Sequence, residues 1–151
     1  MIGRIYHVNV NVTDIEKSIA FYQKFGFRVT KRAETNNPGL QRAFQTKSAR
    51  VRWAHMNIGE GTELARVDLV QWLDGPDKAP ARKPLDEPGL GRFSLITDDI
   101  YKEYERLKSE GVRFVAPPDK GEGPHGAFHY CVAIDPDNVN VQLIQPPPSA
   151  L

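Results

Sequence analysis

The first clear pattern of hydrophobic and polar positions along the chain is an alternation over residues 5–12, IYHVNVNV. Every second residue there is apolar, and the positions between them carry a polar set: His7, Asn9 and Asn11. Strict alternation of β-branched and polar residues is typical of a half-buried strand. The segment is therefore predicted to be a strand whose polar face is either exposed to solvent or lines a wet cavity.

Apolar residues then recur at helical spacing over residues 15–25, which predicts an amphipathic helix. Thr13 or Asp14 is its expected N-cap, and Gly26 is the expected C-terminal stop. Residues 35–41, TNNPGLQ, are predicted to be a loop. Renewed apolar patterns predict strands over three further segments: 27–32, 50–58 and 64–73.

Residues 13–28 recur in outline at 98–113, with Asp14 matched to Asp99 at an offset of 99 − 14 = 85. An internal repeat of this kind fixes the architecture, because each copy is one supersecondary unit. The pattern predicts two tandem β-α-β-β-β modules. A site formed where the copies face each other is expected to use equivalent positions from both.

Residues 74–90 contain four prolines, a density that blocks helices and central strands. They are interpreted as a linker between module 1, about 4–73, and module 2, about 91–146, within one domain of residues 1–151. Module 2 is predicted to contain four strands: 91–97, 112–116, 128–134 and 139–145. Residues 117–126 look like a mobile loop, and His125 on it is expected to be exposed rather than to close over a ligand.

Composition narrows the class of protein. With 151 residues, a net charge of +1 and one cysteine, the chain suits a single cytoplasmic domain without disulfides. The near-neutral charge gives no argument for nucleic acid, and no apolar run approaches membrane-spanning length. Cys131 lies in an apolar run and is interpreted as a buried hydrophobe rather than a nucleophile. The expected partner is a small molecule.

Several short segments in both halves resemble one known superfamily. They are His7-Val8, Asp14, Phe21-Tyr22 and Gly26-Phe27, followed by Asp98-Asp99-Ile100, Gly111-Val112, Asp135-Pro136-Asp137 and Gln142-Leu143-Ile144. The chain resembles the vicinal oxygen chelate superfamily of glyoxalase I, methylmalonyl-CoA epimerase, extradiol dioxygenases, fosfomycin-resistance enzymes and bleomycin-binding proteins. This resemblance implies an α+β fold whose modules form a cup-shaped mixed sheet with helices outside, and a homodimer.

The resemblance also implies four metal-ligand positions, two in each module: His7, Asp68, Arg92 and Gln142. Metal-dependent members place His or Gln, Glu, His and Glu there. Arginine is always protonated and has no lone pair, so Arg92 cannot ligate a cation. The expectation is no cofactor; the alternative is a divalent metal (Zn, Ni, Mn or Fe) held by His7, Asp68 and Gln142.

In the leading interpretation the guanidinium of Arg92 replaces the metal, pairs with Asp68 and stabilises an oxyanion of the substrate. His7 is then the candidate general acid or base, which makes His7, Asp68 and Arg92 the predicted catalytic residues. Strand alternation supplies a larger set of substrate-binding candidates: Asn9, Trp53, His55, Arg66, His129, Tyr130 and Gln142. The alternative is that the Asp–Arg pair is a structural plug and that His7 only lines the cup.

Three functions remain open. The first is an enzyme of lyase, isomerase, cyclase or ring-modifying type. The second is a drug- or metabolite-binding protein of the bleomycin-resistance type, with Trp53, Trp72, Tyr6 and Tyr130 as stacking surface. The third is a glyoxalase- or dioxygenase-like metalloenzyme with a reduced ligand set.

Overall fold

The computed structural model describes residues 3, 5–60, 64–124 and 126–150. They form nine strands and three α-helices in two compact units, Met1–Ala79 and Pro80–Leu151. The boundary between the units falls inside the proline-rich segment 74–90. His125 lies outside the described residues. No helix in the described part of the chain is long and apolar enough to cross a membrane.

In chain order, the elements of the first unit are β1 (Val8–Asn11), α1 (Ile15–Lys24), β2 (Arg28–Asn36), α2 (Pro38–Phe44), β3 (Arg50–Ile58) and β4 (Ala65–Trp72). The four strands form one sheet in the order β1-β4-β3-β2. β1 and β4 are parallel, and the other neighbouring pairs are antiparallel. The parallel pair is possible because α1 and the β2–β3 hairpin form the crossover between β1 and β4.

The elements of the second unit are β5 (Phe93–Ile96), α3 (Ile100–Ser109), β6 (Arg113–Phe114), β7 (Asp119–Gly123), β8 (Gly126–Ile134) and β9 (Asn140–Gln145). The five strands repeat the plan of the first unit in the order β5-β9-β8-β6, with β7 paired to β8. β5 and β9 are the parallel pair, equivalent to β1 and β4. The α+β class and the tandem β-α-β-β-β plan are therefore confirmed, and the second unit adds one further strand, β7.

The two helices of the repeat begin in the same way. Asp14 accepts hydrogen bonds from the backbone N–H groups at positions 16 and 17, and Asp99 accepts one from position 102. The first helical N–H of α1 donates to Gln71 Oε1 at 3.2 Å, and that of α3 donates to Gln145 Oε1 at 3.0 Å. The first N–H of each helix is thus hydrogen-bonded to a glutamine near the end of the last strand of the same unit. These bonds satisfy backbone amides that a helix leaves unpaired at its N-terminus.

Both helices end at a glycine with positive φ, Gly26 (90°) and Gly111 (83°), a backbone conformation that costs glycine little. Each unit packs its helix against its sheet around fully buried side chains. Those with the largest volumes are Tyr22, Met56 and Leu69 in the first unit, and Ile100, Leu107 and Val141 in the second. Cys131 belongs to this core, and burial raises the pKa of its thiol to about 12, as expected for a packing residue.

The predicted loop over residues 35–41 is wrong. β2 continues to Asn36, and α2 occupies residues 38–44. The signals were local: Asn37 caps α2 by accepting from Leu40 N at 3.1 Å, and Pro38 fits the first helical position. α2 has no buried residue, so the sequence shows no apolar stripe that would have marked it as a helix.

Two further expectations are corrected. The first strand begins at Val8 rather than at residue 5, and Tyr6 is 73% exposed instead of lying on the apolar face. The predicted mobile loop over 117–126 contains β7, which pairs with β8 as a hairpin. Gly121 and Gly123 obscured that strand in the sequence, yet a side chain there would collide with the rings of Phe128 and Tyr130.

Candidate functional site

A cavity of about 660 Å³ lies in the first unit, against the polar face of its parallel strand pair. The polar face of β1 lines it, together with residues of β3, β4 and α2. Its polar lining consists of His7, Asn9, Asn11, Thr46, His55 and Asp68. The volume is in the range of small-molecule sites, which are clefts with a few convergent polar groups.

One guanidinium organises the polar end of this cavity. Arg66 Nε lies 2.8 Å from Asp68 Oδ1, and its Nη2 donates to Asp68 Oδ2 at 3.2 Å. The same Nη2 lies 2.8 Å from His7 Nδ1, and Nη1 donates to the hydroxyl of Tyr6 at 3.1 Å. The side chains of Arg66 and Asp68 are only 15% and 11% exposed. All three guanidinium nitrogens therefore contact a polar group in a nearly buried network, but the Nε–Oδ1 contact is an ion pair without hydrogen-bond geometry.

The contact with Arg66 decides the tautomer of His7. A guanidinium has only donors, so His7 Nδ1 must accept, and a neutral ring then carries its proton on Nε2. His7 Nδ1 is also 3.4 Å from Asp68 Oδ2, but two acceptors cannot form a hydrogen bond with each other. Among the described residues, Nε2 has no protein partner, which leaves its N–H available as a donor in the cavity.

His55 is the second imidazole of the cavity. Its Nε2 lies 3.8 Å from Asp68 Oδ2, and its ring lies 4.7 Å from that of Trp53 at an interplanar angle of 32°. Burial lowers the pKa of His55 below its usual value; Asp68 opposes this shift, while Arg66 adds to it. At neutral pH His55 is thus held in the neutral form, which can accept a proton.

The other walls of the cavity are largely apolar. Trp53 on β3 and Trp72 on β4 both line it, and Trp72 Nε1 donates to Asn11 Oδ1 at 3.1 Å. Leu40 and Phe44 of α2 complete this side. The arrangement combines two imidazoles with indole and phenyl surface in one cavity, and the indole of Trp53 packs directly against His55.

The second unit places Arg92 and Gln142 together. Arg92 Nε donates to Gln142 Oε1 at 3.0 Å, and Ser94 Oγ donates to the same oxygen at 2.6 Å. Gln142 is buried, whereas Arg92 is exposed. No carboxylate lies within ion-pair distance of Arg92 among the described residues. The predicted pairing of Arg92 with Asp68 stays a prediction, and the sequence missed that Asp68 has Arg66 as its partner.

His129 and Tyr130 do not share one site. The ring of His129 packs on Tyr101 of α3 at 5.6 Å, so His129 lies on the helix face of its sheet. Tyr130 is on the opposite face, 5.6 Å from the ring of Phe128. Of the predicted set, the first unit brings together a single cluster: His7, Asn9, Trp53, His55, Arg66 and Asp68.

The structure adds residues that the sequence did not single out for the site, above all those of α2. The signal for Arg66 as the partner of Asp68 was present, because residues two apart in a strand share a face. The signal for Leu40 and Phe44 was absent, because α2 itself was not predicted.

The residues at the family's metal positions fit a cation poorly. In the first unit, His7 Nδ1 and both oxygens of Asp68 already contact the guanidinium of Arg66. In the second unit, Arg92 cannot ligate, and the oxygen of Gln142 accepts two hydrogen bonds. No group of three or more His, Cys, Asp or Glu in the described part of the chain is arranged to hold a metal ion.

Comparison with known proteins agrees with this fold. The family model of the Glyoxalase/Bleomycin resistance protein/Dioxygenase superfamily matches residues 4–143. A "Probable lactoylglutathione lyase" of Synechocystis sp. is 26% identical over 142 residues, covering 93% of this chain and 94% of that protein. A protein of the same name from Vibrio parahaemolyticus is 28% identical over 147 residues, covering 95% and 91%.

Solved structures of glyoxalase family proteins have the same fold as this chain. A glyoxalase family protein from Bacillus cereus superposes with a TM-score of 0.80 over 96% of this chain and 95% of its own, at 20% identity, which shows the fold alone. A glyoxalase I mutant from Zea mays superposes with a TM-score of 0.69 at 26% identity, covering 95% of this chain and 45% of that chain.

The chain belongs to the Glyoxalase/Bleomycin resistance protein/Dioxygenase superfamily. The resemblance read from the sequence is thereby confirmed, and relatives named as lyases support an enzyme family without fixing the reaction. Membership keeps a divalent metal plausible, so the expectation of no cofactor gains no support from the comparisons.

Proposed function

We propose that the chain is a small-molecule enzyme of the vicinal oxygen chelate type that moves a proton at a carbon next to a substrate oxygen. The cavity of the first unit is the proposed substrate site. The observation that supports this is the pair of imidazoles at one end of the cavity, His7 in contact with Arg66 and His55 close to Asp68.

The two imidazoles suit opposite roles. His7, with Nδ1 accepting from Arg66, presents Nε2–H as a donor to an oxygen that gains negative charge. His55 is neutral because burial lowers its pKa, so it can accept the proton that leaves the neighbouring carbon. Return of that proton to the adjacent carbon completes an isomerisation; its loss together with a leaving group completes a lyase reaction.

The aromatic side of the cavity supports a substrate with a flat or apolar portion. Trp53, Trp72 and Phe44 offer ring surface there, and such contacts stabilise planar groups through stacking. Asn9 and Asn11 offer amide groups between the two ends. The oxygen-bearing carbon would therefore lie near the imidazoles, with the rest of the molecule along the indoles.

The test is turnover by the parent, His7→Gln and His55→Gln proteins. Lactoylglutathione is the first compound to try, because relatives carry its name. A panel of small hydroxycarbonyl compounds follows. Proton movement is measured as exchange with deuterated water by NMR, which does not require the net reaction to be known. Each variant is expected to lose about 10²-fold or more of turnover, as for other acid–base groups.

Arg52→Met is the control, because Arg52 pairs with Glu34 on the surface at 2.7 Å and does not line the cavity. Parent-like exchange in both histidine variants, with the fold intact, contradicts the proposal.

A second candidate is a binding protein that sequesters a drug or metabolite, as the bleomycin-resistance part of the family name suggests. The observation that favours it is that both tryptophans of the chain line the cavity. Intrinsic fluorescence therefore reports ligand entry directly. Tight fluorescence-detected binding without turnover or proton exchange supports this candidate over the enzyme.

The homodimer and the cytoplasmic location stay predictions. The dimer rests on likeness to small members of the superfamily. A light-scattering mass near the 17.0 kDa of one chain at micromolar concentration contradicts it.

A further inference from the structure

The network around Arg66 has the connectivity of a metal site, with a guanidinium in place of the ion. Two of the family's ligand positions, His7 and Asp68, both point their acceptor atoms at Arg66. Arg66 lies 2.8 Å from Nδ1 of His7, and 2.8 Å and 3.2 Å from Oδ1 and Oδ2 of Asp68, so its guanidinium contacts every one of these acceptor atoms. A divalent cation at this point would have to displace the guanidinium or lie beside its charge, and like charges repel.

We propose that Arg66 is a built-in cation that takes the place of a metal at the His7–Asp68 pair and fixes His7 as the Nε2–H tautomer. The inference deepens the proposed function, since it assigns the group that positions the donor of the reaction. Arg66 is thus a positioning residue, which acts on the substrate through His7.

Arg66 itself is held from three sides. Asp68 neutralises its charge, the ring of Tyr6 lies 4.2 Å from its Cζ, and the Tyr6 hydroxyl accepts from Nη1. Stacking on an aromatic face and bidentate pairing with a carboxylate are the interactions that favour arginine over lysine. The guanidinium is therefore fixed before any ligand arrives, which is what an electrostatic group in a site requires.

Removal of Arg66 should allow a metal site to form. No three His, Cys, Asp or Glu side chains of the described residues are arranged to hold a cation as they stand, so His55 has to move closer to His7 and Asp68. His7, Asp68 and also His55, whose Nε2 is 3.8 Å from Asp68 Oδ2, then have acceptor atoms close together. Two imidazoles and one carboxylate are the ligands of many three-ligand zinc sites. Arg66 is thereby predicted to be the residue that prevents this set from binding a cation.

The first experiment is calorimetric titration of untagged, chelator-treated protein with Zn²⁺, Ni²⁺ and Mn²⁺. The parent and the Arg52→Met control are expected to bind each ion weakly, and Arg66→Met is expected to bind Zn²⁺ or Ni²⁺ at least about tenfold more tightly. Adding Asp68→Asn to Arg66→Met should abolish the gain. A folded Arg66→Met protein without any gain overturns the proposal, as does stoichiometric metal on His7 in the parent.

The second experiment needs no variant to fold without Arg66. Long-range ¹H–¹⁵N correlation spectra of the parent distinguish a protonated from an unprotonated ring nitrogen, and the His7→Gln spectrum assigns the signals. His7 is expected to show an unprotonated Nδ1 and a protonated Nε2, whereas a protonated Nδ1 in the neutral ring overturns the inference. Neither experiment uses substrate, so failure of the proposed reaction leaves both results interpretable.

Discussion

The two units of the chain share a scaffold, but each has an arginine at the parallel strand pair, and the two arginines differ in burial and in bonding partners. In the first unit the Arg66 guanidinium is nearly buried, paired with Asp68 and bonded to His7. In the second unit Arg92 is exposed and bonded to the neutral amide of Gln142. The register is otherwise equivalent, since Asn9 pairs with Asp68 as Ser94 pairs with Gln142.

This difference shows which parts of a duplicated fold are free to change. The helix caps, the strand order and the glutamine that receives the first helical N–H are the same in both units. The side chains at the equivalent polar positions are not. The first unit thus pairs its charges within its own network, whereas Arg92 of the second unit has no carboxylate within ion-pair distance among the described residues.

The largest expected effect comes from removing the negative charge in the first unit. Asp68→Asn keeps the shape but leaves Arg66 nearly buried without a counter-charge, so the free energy of unfolding should fall by about 3–5 kcal/mol. Gln142→Met in the second unit loses only one acceptor of two hydrogen bonds and should cost about 1–2 kcal/mol. Urea unfolding measures both. Equal losses would show that the charge pair is not what distinguishes the units.

The exposed guanidinium of the second unit should matter for ligand rather than for stability. Arg92→Met keeps the stem volume and should weaken binding or turnover by about 2–4 kcal/mol, the range for losing one oxyanion donor. Its melting temperature should remain close to that of the parent, because Arg92 has no charged partner among the described residues that its removal would leave unpaired. Binding is measured through tryptophan fluorescence. Unchanged binding and turnover in Arg92→Met would show that Arg92 does not contribute to the ligand site.

The shared scaffold should respond equally in both units. Asp14→Ala and Asp99→Ala each remove an N-cap and should each cost about 1 kcal/mol of the free energy of unfolding. Urea midpoints at pH 7 measure the two losses, with Asp14→Asn and Asp99→Asn as controls that keep a capping oxygen. A difference well above the error of the method would show that the repeat is not energetically symmetric.

The smallest expected effect is a dependence on pH that comes from His55 of the first unit. Because burial lowers the pKa of His55 in the folded state, the unfolded chain binds its proton more readily below about pH 6.5. The free energy of unfolding should therefore fall as the pH drops through this range.

His55→Gln should reduce that slope, as measured by urea midpoints between pH 7 and pH 5. The N-cap Asp14 does not interfere, because hydrogen bonds from Lys17 lower the pKa of its carboxyl below the usual 3.8. An unchanged slope in His55→Gln would assign the dependence to another group.

Most of the scaffold was predictable because its signals are local and repeated. Both copies of the repeat carry the same helix signals at one offset: an aspartate N-cap (Asp14 and Asp99) and a glycine with positive φ after the helix (Gly26 and Gly111). Alternation also put Asn9 on a polar strand face, and the structure makes Asn9 the register partner of Asp68, a pairing that the sequence did not predict.

The rest depended on contacts that one sequence does not encode locally. Alternation put Arg66 and Asp68 on one face, but it could not show that the same guanidinium also reaches His7, 59 residues earlier in the chain. α2 has no apolar stripe because its side chains face solvent or the cavity. β7 contains two glycines that make room for aromatic rings of the neighbouring strand, so its composition is typical of a loop.

The short helix α2 is expected to control how fast a ligand leaves the cavity. Its seven residues bury no side chain, so opening it should cost only a small part of the free energy of unfolding, while the β3–β4 pairing stays intact. Leu40 and Phe44 would leave the cavity wall during such openings. We therefore expect the residence time of a ligand to follow the opening rate of residues 38–44, so that changes there alter how long a molecule stays without altering the groups that bind it.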